Sequence, residues 1–333
     1  MSVQTATSVS ADNRICKMED EYKEQAAKAF YPKGNVLTPE QREFYAENGF
    51  LIVRSLLKKP ELEKYRNHFQ DVCKNPKILP IETLLMNDVC TAKKTKERNE
   101  NTILRLQDFN NDPVFFSYCQ HPVILDIVQD LIGKEKESNL MAMHTMLINK
   151  PPDLDKTLSS RHAPHQDEYF FPFGPSDYIT CAWTAIDRCT KENGTLFVYP
   201  GSHKMHNQPH GYPNWEKGVN KVFQQILTFD TENNPSIDVE CEPGDTVFFH
   251  PNLVHGAGPN LSDGFRKTIS CHYANADECR YIDVSGTYRT SVADEVVDMF
   301  NGRYKKLGIP LARDWGHLWR MRARPVNAKR AHL

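Results

Sequence analysis

No stretch of this 333-residue chain reaches 18 uninterrupted apolar residues, so a membrane-spanning helix is not expected. The first twenty residues, Met1 to Asp20, lack the apolar core of a secretory leader. There is no excess of one charge: 41 Lys+Arg face 43 Asp+Glu for a net of −2, which gives no field to draw nucleic acid. None of the nine cysteines stands in a C-x-x-C pair, and several lie inside apolar runs such as Thr180-Cys181-Ala182-Trp183. That usage reads as buried free thiols in a reducing compartment, and argues against a disulfide framework or a zinc site. Glycine is scarce, 16 against 21 prolines, and no repeat or low-complexity segment appears. What remains is a globular chain with 39% hydrophobic residues and many turns.

Residues 1–30 are polar and mixed in charge, and read as a flexible N-terminal segment. Thr38-Pro39-Glu40-Gln41 then supplies a cap, a proline for the first helical turn and a capping-box glutamine, predicting a helix to about Asn48 with Gly49 just past its end. Phe50 to Val53 follows as a short buried strand, and helices are expected over about Pro60 to Cys73, Pro122 to Ile132 and Val292 to Tyr304. Lys93-Lys94-Thr95-Lys96-Glu97-Arg98 reads as a charged loop, solvated or facing a phosphate.

From Leu140 the pattern changes to strand, turn, strand. Met141–Ile148, Tyr178–Ile186, Gly194–Tyr199, Ile237–Cys241 and Thr246–His250 are strand-like, with Pro243-Gly244-Asp245 as one of the turns. Arg266, Thr268, Ser270 and His272 alternate with Lys267, Ile269, Cys271 and Tyr273, so one face of that strand is polar. The fold class expected is mainly β with flanking helices, a sandwich or jelly roll.

Within this stretch lies the one His-x-Asp/Glu triplet, His165-Gln166-Asp167. About 1.7 such triplets are expected by chance in a chain of this composition, so the triplet alone decides nothing. Read as a strand, His165 and Asp167 share a face. With His255 they form a 2-His-1-carboxylate set, the donors that hold Fe(II) and leave positions open for substrate and dioxygen. His250 competes for the third place, but His255 is followed by Gly256-Ala257-Gly258, which permits close backbone approach. Arg266 on the polar strand face offers a planar, permanently charged fork for a carboxylate, which suits a dicarboxylic co-substrate such as 2-oxoglutarate. Trp183 could wall the site, or simply fill the core as most aromatics do.

The runs His165-Gln166-Asp167, Ala182-Trp183-Thr184, Gly244-Asp245-Thr246-Val247-Phe248-Phe249-His250-Pro251 and Gly264-Phe265-Arg266-Lys267 resemble the phytanoyl-CoA dioxygenase family. Met141 to Pro152, Tyr212 to Glu216 and Tyr281 to Val284 add longer stretches similar to its peroxisomal members, and the resemblance extends from about Leu37 to the C-terminus.

The resemblance implies a double-stranded β-helix (cupin-like jelly roll) spanning 31–326 as one oxygenase domain, followed by a tail at 327–333. It implies hydroxylation of C2 of phytanoyl-CoA or a similar branched or long-chain acyl-CoA in fatty acid α-oxidation, consuming dioxygen and releasing succinate and CO2. Iron(II) would be held by His165, Asp167 and His255, and 2-oxoglutarate by Arg266, Trp183, Met146, Arg105 and Gln166, with ascorbate as reductant. Arg105 stands where the family has lysine and Ala257 where it has serine; both changes bear on co-substrate affinity rather than on iron.

The last residues, Ala331-His332-Leu333, are a small–basic–Leu variant of the Ser-Lys-Leu address and imply a peroxisomal import receptor as partner. Arg320, Arg322, Arg324, Lys329 and Arg330 upstream read as a solvated basic tail. The CoA moiety could meet Lys93, Lys94 and Lys96 or this tail. A family member acting on a small metabolite or free acid, and a non-catalytic metal-binding cupin-like module, are the other readings of the same residues.

Overall fold

Thr38 opens the first helix as its sequence foretells. Its hydroxyl accepts from the Gln41 N–H while the Gln41 side chain accepts from the Thr38 N–H, and α1 (Pro39–Asn48) ends at Gly49 with φ +80°. That turn feeds the chain directly into β1 (Phe50–Val53). The computed structural model describes residues 36–134 and 137–327. The lead-in over 1–30 and the tripeptide Ala331-His332-Leu333 lie outside the described residues.

Helices α2 (Lys59–Lys74), α3 (Val89–Lys94), α4 (Pro113–Cys119) and α5 (Pro122–Ile132) alternate with β2 (Leu84–Asn87) and β3 (Ile103–Gln107). The strands that follow are β4 (Leu140–Lys150), β5 (His162–His165), β6 (Ile179–Ala185), β7 (Leu196–Val198), β8 (Ile237–Val239), β9 (Thr246–Phe249), β10 (His255–Ala257) and β11 (Arg266–Asn275). Helices α6 (Thr290–Leu307) and α7 (Trp315–Arg322) precede a last short strand, β12 (Arg324–Pro325).

The larger sheet runs β1-β9-β6-β11-β4-β3-β2, with β12 added on β4. The smaller runs β8-β7-β10-β5. Every pairing in both is antiparallel, and apart from β2-β3-β4 and β7-β8 the sheet neighbours are not consecutive along the chain. This is the winding of a double-stranded β-helix, and the expected mainly-β jelly roll is what forms.

Strand alternation divides the interior in two. On β11, Ile269, Cys271 and Tyr273 turn outward into a core shared with Phe69, Phe115 and Val128 of the helices. Arg266, Ser270 and His272 turn inward, to a cavity between the sheets. Burying each such aromatic or aliphatic side chain is worth roughly 1.5–3 kcal/mol, so the outer helices clamp the sheet with its polar face inward.

Three short helices were not expected. Asp112 and Asp314 cap α4 and α7 through their carboxylates, a signal present in the sequence, but each helix spans only two turns. Lys93 and Lys94 close α3 instead of lying in a loop, and Lys94 pairs with Asp155. The expected basic tail is also corrected in part. Arg322 is buried on α7 and paired with Asp108, Arg320 lies over Tyr281, and Arg324 binds Asn111 and two carbonyls. These arginines anchor the C-terminal helix, because Trp315, Leu318 and Trp319 around them carry its apolar face into a second core with Phe171 and Phe173.

Candidate active site

His165 and His255 are direct cross-strand partners on β5 and β10. Ninety residues of sequence separation therefore close into one residue pair. Gly256 makes this possible: a Cβ there would meet the His162 carbonyl oxygen at 2.7 Å and the Phe197 ring at 2.4 Å. Asp167 is not on the strand, contrary to the expected shared face. β5 ends at His165, and Asp167 begins a 3-10 turn, Asp167–Phe170, which swings its carboxylate back toward both imidazoles. His165 Nε2 lies 3.3 Å from Asp167 Oδ1, His255 Nε2 lies 3.6 Å from Oδ2, and donor atoms of the three all fall within 4.8 Å of one another.

The donor set fits a metal cation. Nδ1 of His165 lies 2.9 Å from the Ala163 carbonyl, and Nδ1 of His255 lies 2.9 Å from that of Leu253. A carbonyl only accepts, so each Nδ1 carries a proton, and in the neutral tautomer that this selects each ring would turn an Nε2 lone pair toward Asp167. Two lone pairs facing a carboxylate repel unless a cation lies between them. Burial pushes the His255 imidazole down to about 4, against the opposing pull of Asp167, which keeps it neutral and ready to ligate. Burial alone would raise the Asp167 carboxyl, but the imidazoles of His255 and His272 reverse this and hold it well below the usual carboxylate range. His250, the rival histidine, lies outside the cavity wall, where its Nδ1 accepts from the Asn252 N–H.

A cavity of about 1140 Å³, counting its open mouth, holds these three residues. One end is cationic. Arg266 is 1% exposed and reaches it from β11, donating to the Gly194 carbonyl and, at 3.3 Å, to Thr268 Oγ1, while its Nε has no partner among the described residues. Trp183 lines the same end with its ring centroid 5.6 Å from the guanidinium. Arg105 enters from β3 with, among the described residues, Met146 Sδ (3.7 Å) and Met86 Sδ (3.3 Å) as its acceptors, and lies 4.8 Å over the Phe223 ring. Burial pulls its guanidinium down to about 10, with Asp108 opposing and Arg322 adding. The opposite end is mostly apolar, walled by Phe170, Phe171, Val296, Met299, Phe300 and Trp319, with Arg322, paired to Asp108, against the last two rings.

Met146 and Ala257 also line the cavity, but Gln166 does not. Its amide donates to the Asn252 carbonyl at 3.0 Å and accepts from the Gln208 N–H at 2.9 Å, which fixes the segment between the two ligands. Two cavity residues were given no role from the sequence. His272, on the same alternation as Arg266, reaches Asp167 at 2.8 Å and stacks on His144 at 5.6 Å. Lys150 lies beside Arg266, and no signal marked it, since it closes an apolar run just before two prolines.

Residues 45–268 match the family model described as phytanoyl-CoA dioxygenase (PhyH). A probable phytanoyl-CoA dioxygenase of Caenorhabditis elegans is 49% identical over 304 residues, covering 90% of this chain and 96% of the relative. The peroxisomal phytanoyl-CoA dioxygenase of Homo sapiens is 46% identical over 299 residues, 90% of this chain and 85% of the relative. Among solved structures, the epimerase SnoN in complex with Fe3+, alpha ketoglutarate and nogalamycin RO shares the fold with a TM-score of 0.56 at 19% identity, over 74% of this chain and 86% of that one. EctD from S. alaskensis with 2-oxoglutarate and 5-hydroxyectoine gives 0.57 at 14% identity, over 76% and 82%.

Proposed function

This chain belongs to the phytanoyl-CoA dioxygenase family, and we propose that it hydroxylates C2 of phytanoyl-CoA or a similar branched or long-chain acyl-CoA, using iron(II) and 2-oxoglutarate. The observation that carries this reading is the convergence of His165, Asp167 and His255 in a cavity cationic at one end and apolar at the other. These three side chains hold iron(II). When bound, the metal supplies activation of dioxygen, coupled to conversion of 2-oxoglutarate into succinate and CO2.

The protein's own groups do the rest. Arg266 pairs with the distal carboxylate of 2-oxoglutarate, a charge its buried guanidinium otherwise lacks. Trp183 and Met146 wall that subsite and exclude water, and Arg105 faces it with no acceptor better than two thioethers. Ala257 has no hydroxyl to add, so the guanidinium carries more of the recognition. The acyl chain lies against Phe171, Val296, Met299, Phe300 and Trp319, with C2 turned toward the ligand triad and the thioester toward the mouth. Ascorbate serves as reductant for the iron.

A single catalytic domain over 31–326 fits the continuous sheets. The human relative is named as peroxisomal, and this supports a peroxisomal site for the present chain, with Ala331-His332-Leu333 read by an import receptor.

The test is a product assay: the purified chain, iron(II), ascorbate, 2-oxoglutarate and phytanoyl-CoA, with succinate measured alongside product mass. The expected result is one succinate per acyl-CoA made heavier by one oxygen. No acyl-CoA-dependent succinate would reject the reading, and turnover of the free acid alone would redirect the substrate.

A further inference from the structure

Arg266 does not stand alone at the cationic end. Its direct cross-strand partner is Lys150, the last residue of β4, which is 3% exposed and lines the same cavity. Lys150 Nζ donates to the Gly194 carbonyl at 3.2 Å and to the Gly258 carbonyl. Arg266 Nη2 donates to the same Gly194 oxygen. That oxygen is held in place by a left-handed turn: Gly194 has φ +79°, and a Cβ on it would meet the Gly258 oxygen at 2.3 Å.

Two buried cations therefore converge on one neutral acceptor. Among the described residues, neither has a carboxylate within ion-pair distance. Burial pushes the Lys150 ammonium well below its ordinary range, and the Arg266 charge pushes it further. Carbonyl dipoles alone compensate poorly for two charges removed from water. What completes this arrangement is an anion entering from the cavity.

We propose that Lys150 is a second cationic contact for the distal carboxylate of the co-substrate, paired with Arg266 across strands β4 and β11. The proposal rests on 2-oxoglutarate as co-substrate. It assigns Lys150 two linked tasks: one N–H bond to the carboxylate, and, through the shared Gly194 carbonyl, the placement of the Arg266 fork. A merely structural lysine, clipping β4 to the turns at Gly194 and Gly258, would affect fold stability and every ligand alike.

The experiment separates the two roles by comparing two 2-oxo acids. Anaerobic calorimetry on the iron(II)-loaded full chain measures binding of 2-oxoglutarate and of 2-oxobutanoate, which lacks the distal carboxylate. Lys150→Gln keeps neutral donors for the two carbonyls and removes the charge. It should weaken 2-oxoglutarate about 10- to 100-fold, the range for losing one charge-assisted hydrogen bond, and leave 2-oxobutanoate and iron affinity unchanged. Lys150→Arg should bind 2-oxoglutarate more tightly than Lys150→Gln, because the charge returns. Equal loss of both acids, or no loss of either, overturns the proposal. A wild-type chain that binds no 2-oxoglutarate overturns the co-substrate reading itself and this proposal with it, which is a distinct result.

Discussion

His272 Nε2 lies 2.8 Å from Asp167 Oδ2, the same oxygen that stands 3.6 Å from His255 Nε2. A carboxylate oxygen only accepts, so His272 donates its Nε2–H and fixes how Asp167 turns toward the two ligand imidazoles. Its Nδ1 has no hydrogen-bond partner among the described residues, so the bond to Asp167 is the one that holds the ring. Groups that orient a ligand in this way are commonly worth a factor of about 10–100 in metal affinity. His272→Ala should therefore weaken iron(II) by about that factor in a chelator competition, and His272→Gln, which keeps an N–H, should recover part of it. Wild-type affinity in His272→Ala would show that Asp167 needs no such support.

Removing the guanidinium at the opposite wall should act on the co-substrate and spare the metal. Arg266→Ala loses roughly 1.5–3 kcal/mol of 2-oxoglutarate binding, the worth of a charge-assisted hydrogen bond. The KM for 2-oxoglutarate should rise at least tenfold with iron affinity unaltered. Arg266→Lys should recover only part, since an ammonium cannot present a planar fork.

The buried pair Arg322–Asp108 ties the C-terminal helix to the end of β3, with Nε at 2.8 Å and Nη2 at 2.6 Å from one oxygen, while the other carboxylate oxygen has no partner among the described residues. Arg322→Met leaves Asp108 buried and unpaired and should cost about 3–5 kcal/mol in denaturant unfolding. The double variant Arg322→Met with Asp108→Leu should regain most of this, because the penalty lies in the orphaned charge. A single variant as stable as wild type would contradict the account.

His210 should make the fold sensitive to acid. Its Nε2 accepts from the Gln166 N–H at 2.9 Å, between the two ligands, and its Nδ1–H donates to the Gln208 carbonyl at 2.7 Å. Burial pushes its pKa down to about 3, so the folded protein holds the ring neutral while the unfolded chain takes up a proton near pH 6.5. The unfolded state binds more protons between those values, so stability falls as pH drops from about 6.5 toward 3. Thermal melts should show this slope, and it should be shallower in His210→Gln. An unchanged slope would assign the acid sensitivity to other groups.

Chain selection should follow α6. Val296, Met299 and Phe300 lie on one face of that helix and wall the apolar end of the cavity. Met299→Trp fills space there and should shift turnover toward shorter acyl-CoAs, while Met299→Ala should admit bulkier ones. Competition between two chain lengths, followed by mass spectrometry, reads the ratio directly, and an unmoved ratio would detach the acyl chain from this wall.

The strands were legible because alternation is a local property. Arg266, Thr268, Ser270 and His272 announced a polar face two residues at a time, and the Thr38 capping box announced its helix within four residues. The outer helices α4 and α7 were not, since two-turn helices draw their stability from packing against sheets that a local pattern cannot see. The same limit misjudged Arg322, which reads as tail and is buried only because Asp108, over 200 residues earlier, lies beneath it.

For the site, local pattern was enough to name the donor types, two imidazoles, one carboxylate and one guanidinium, and strand alternation was enough to turn Arg266 inward. The tertiary structure alone decided their company. The pairing of His165 with His255, the turn that brings Asp167 back, the His272 bond and the placement of Lys150 opposite Arg266 all depend on antiparallel register between distant strands. Register is fixed by burial across the whole sheet, and no short window of residues carries that information.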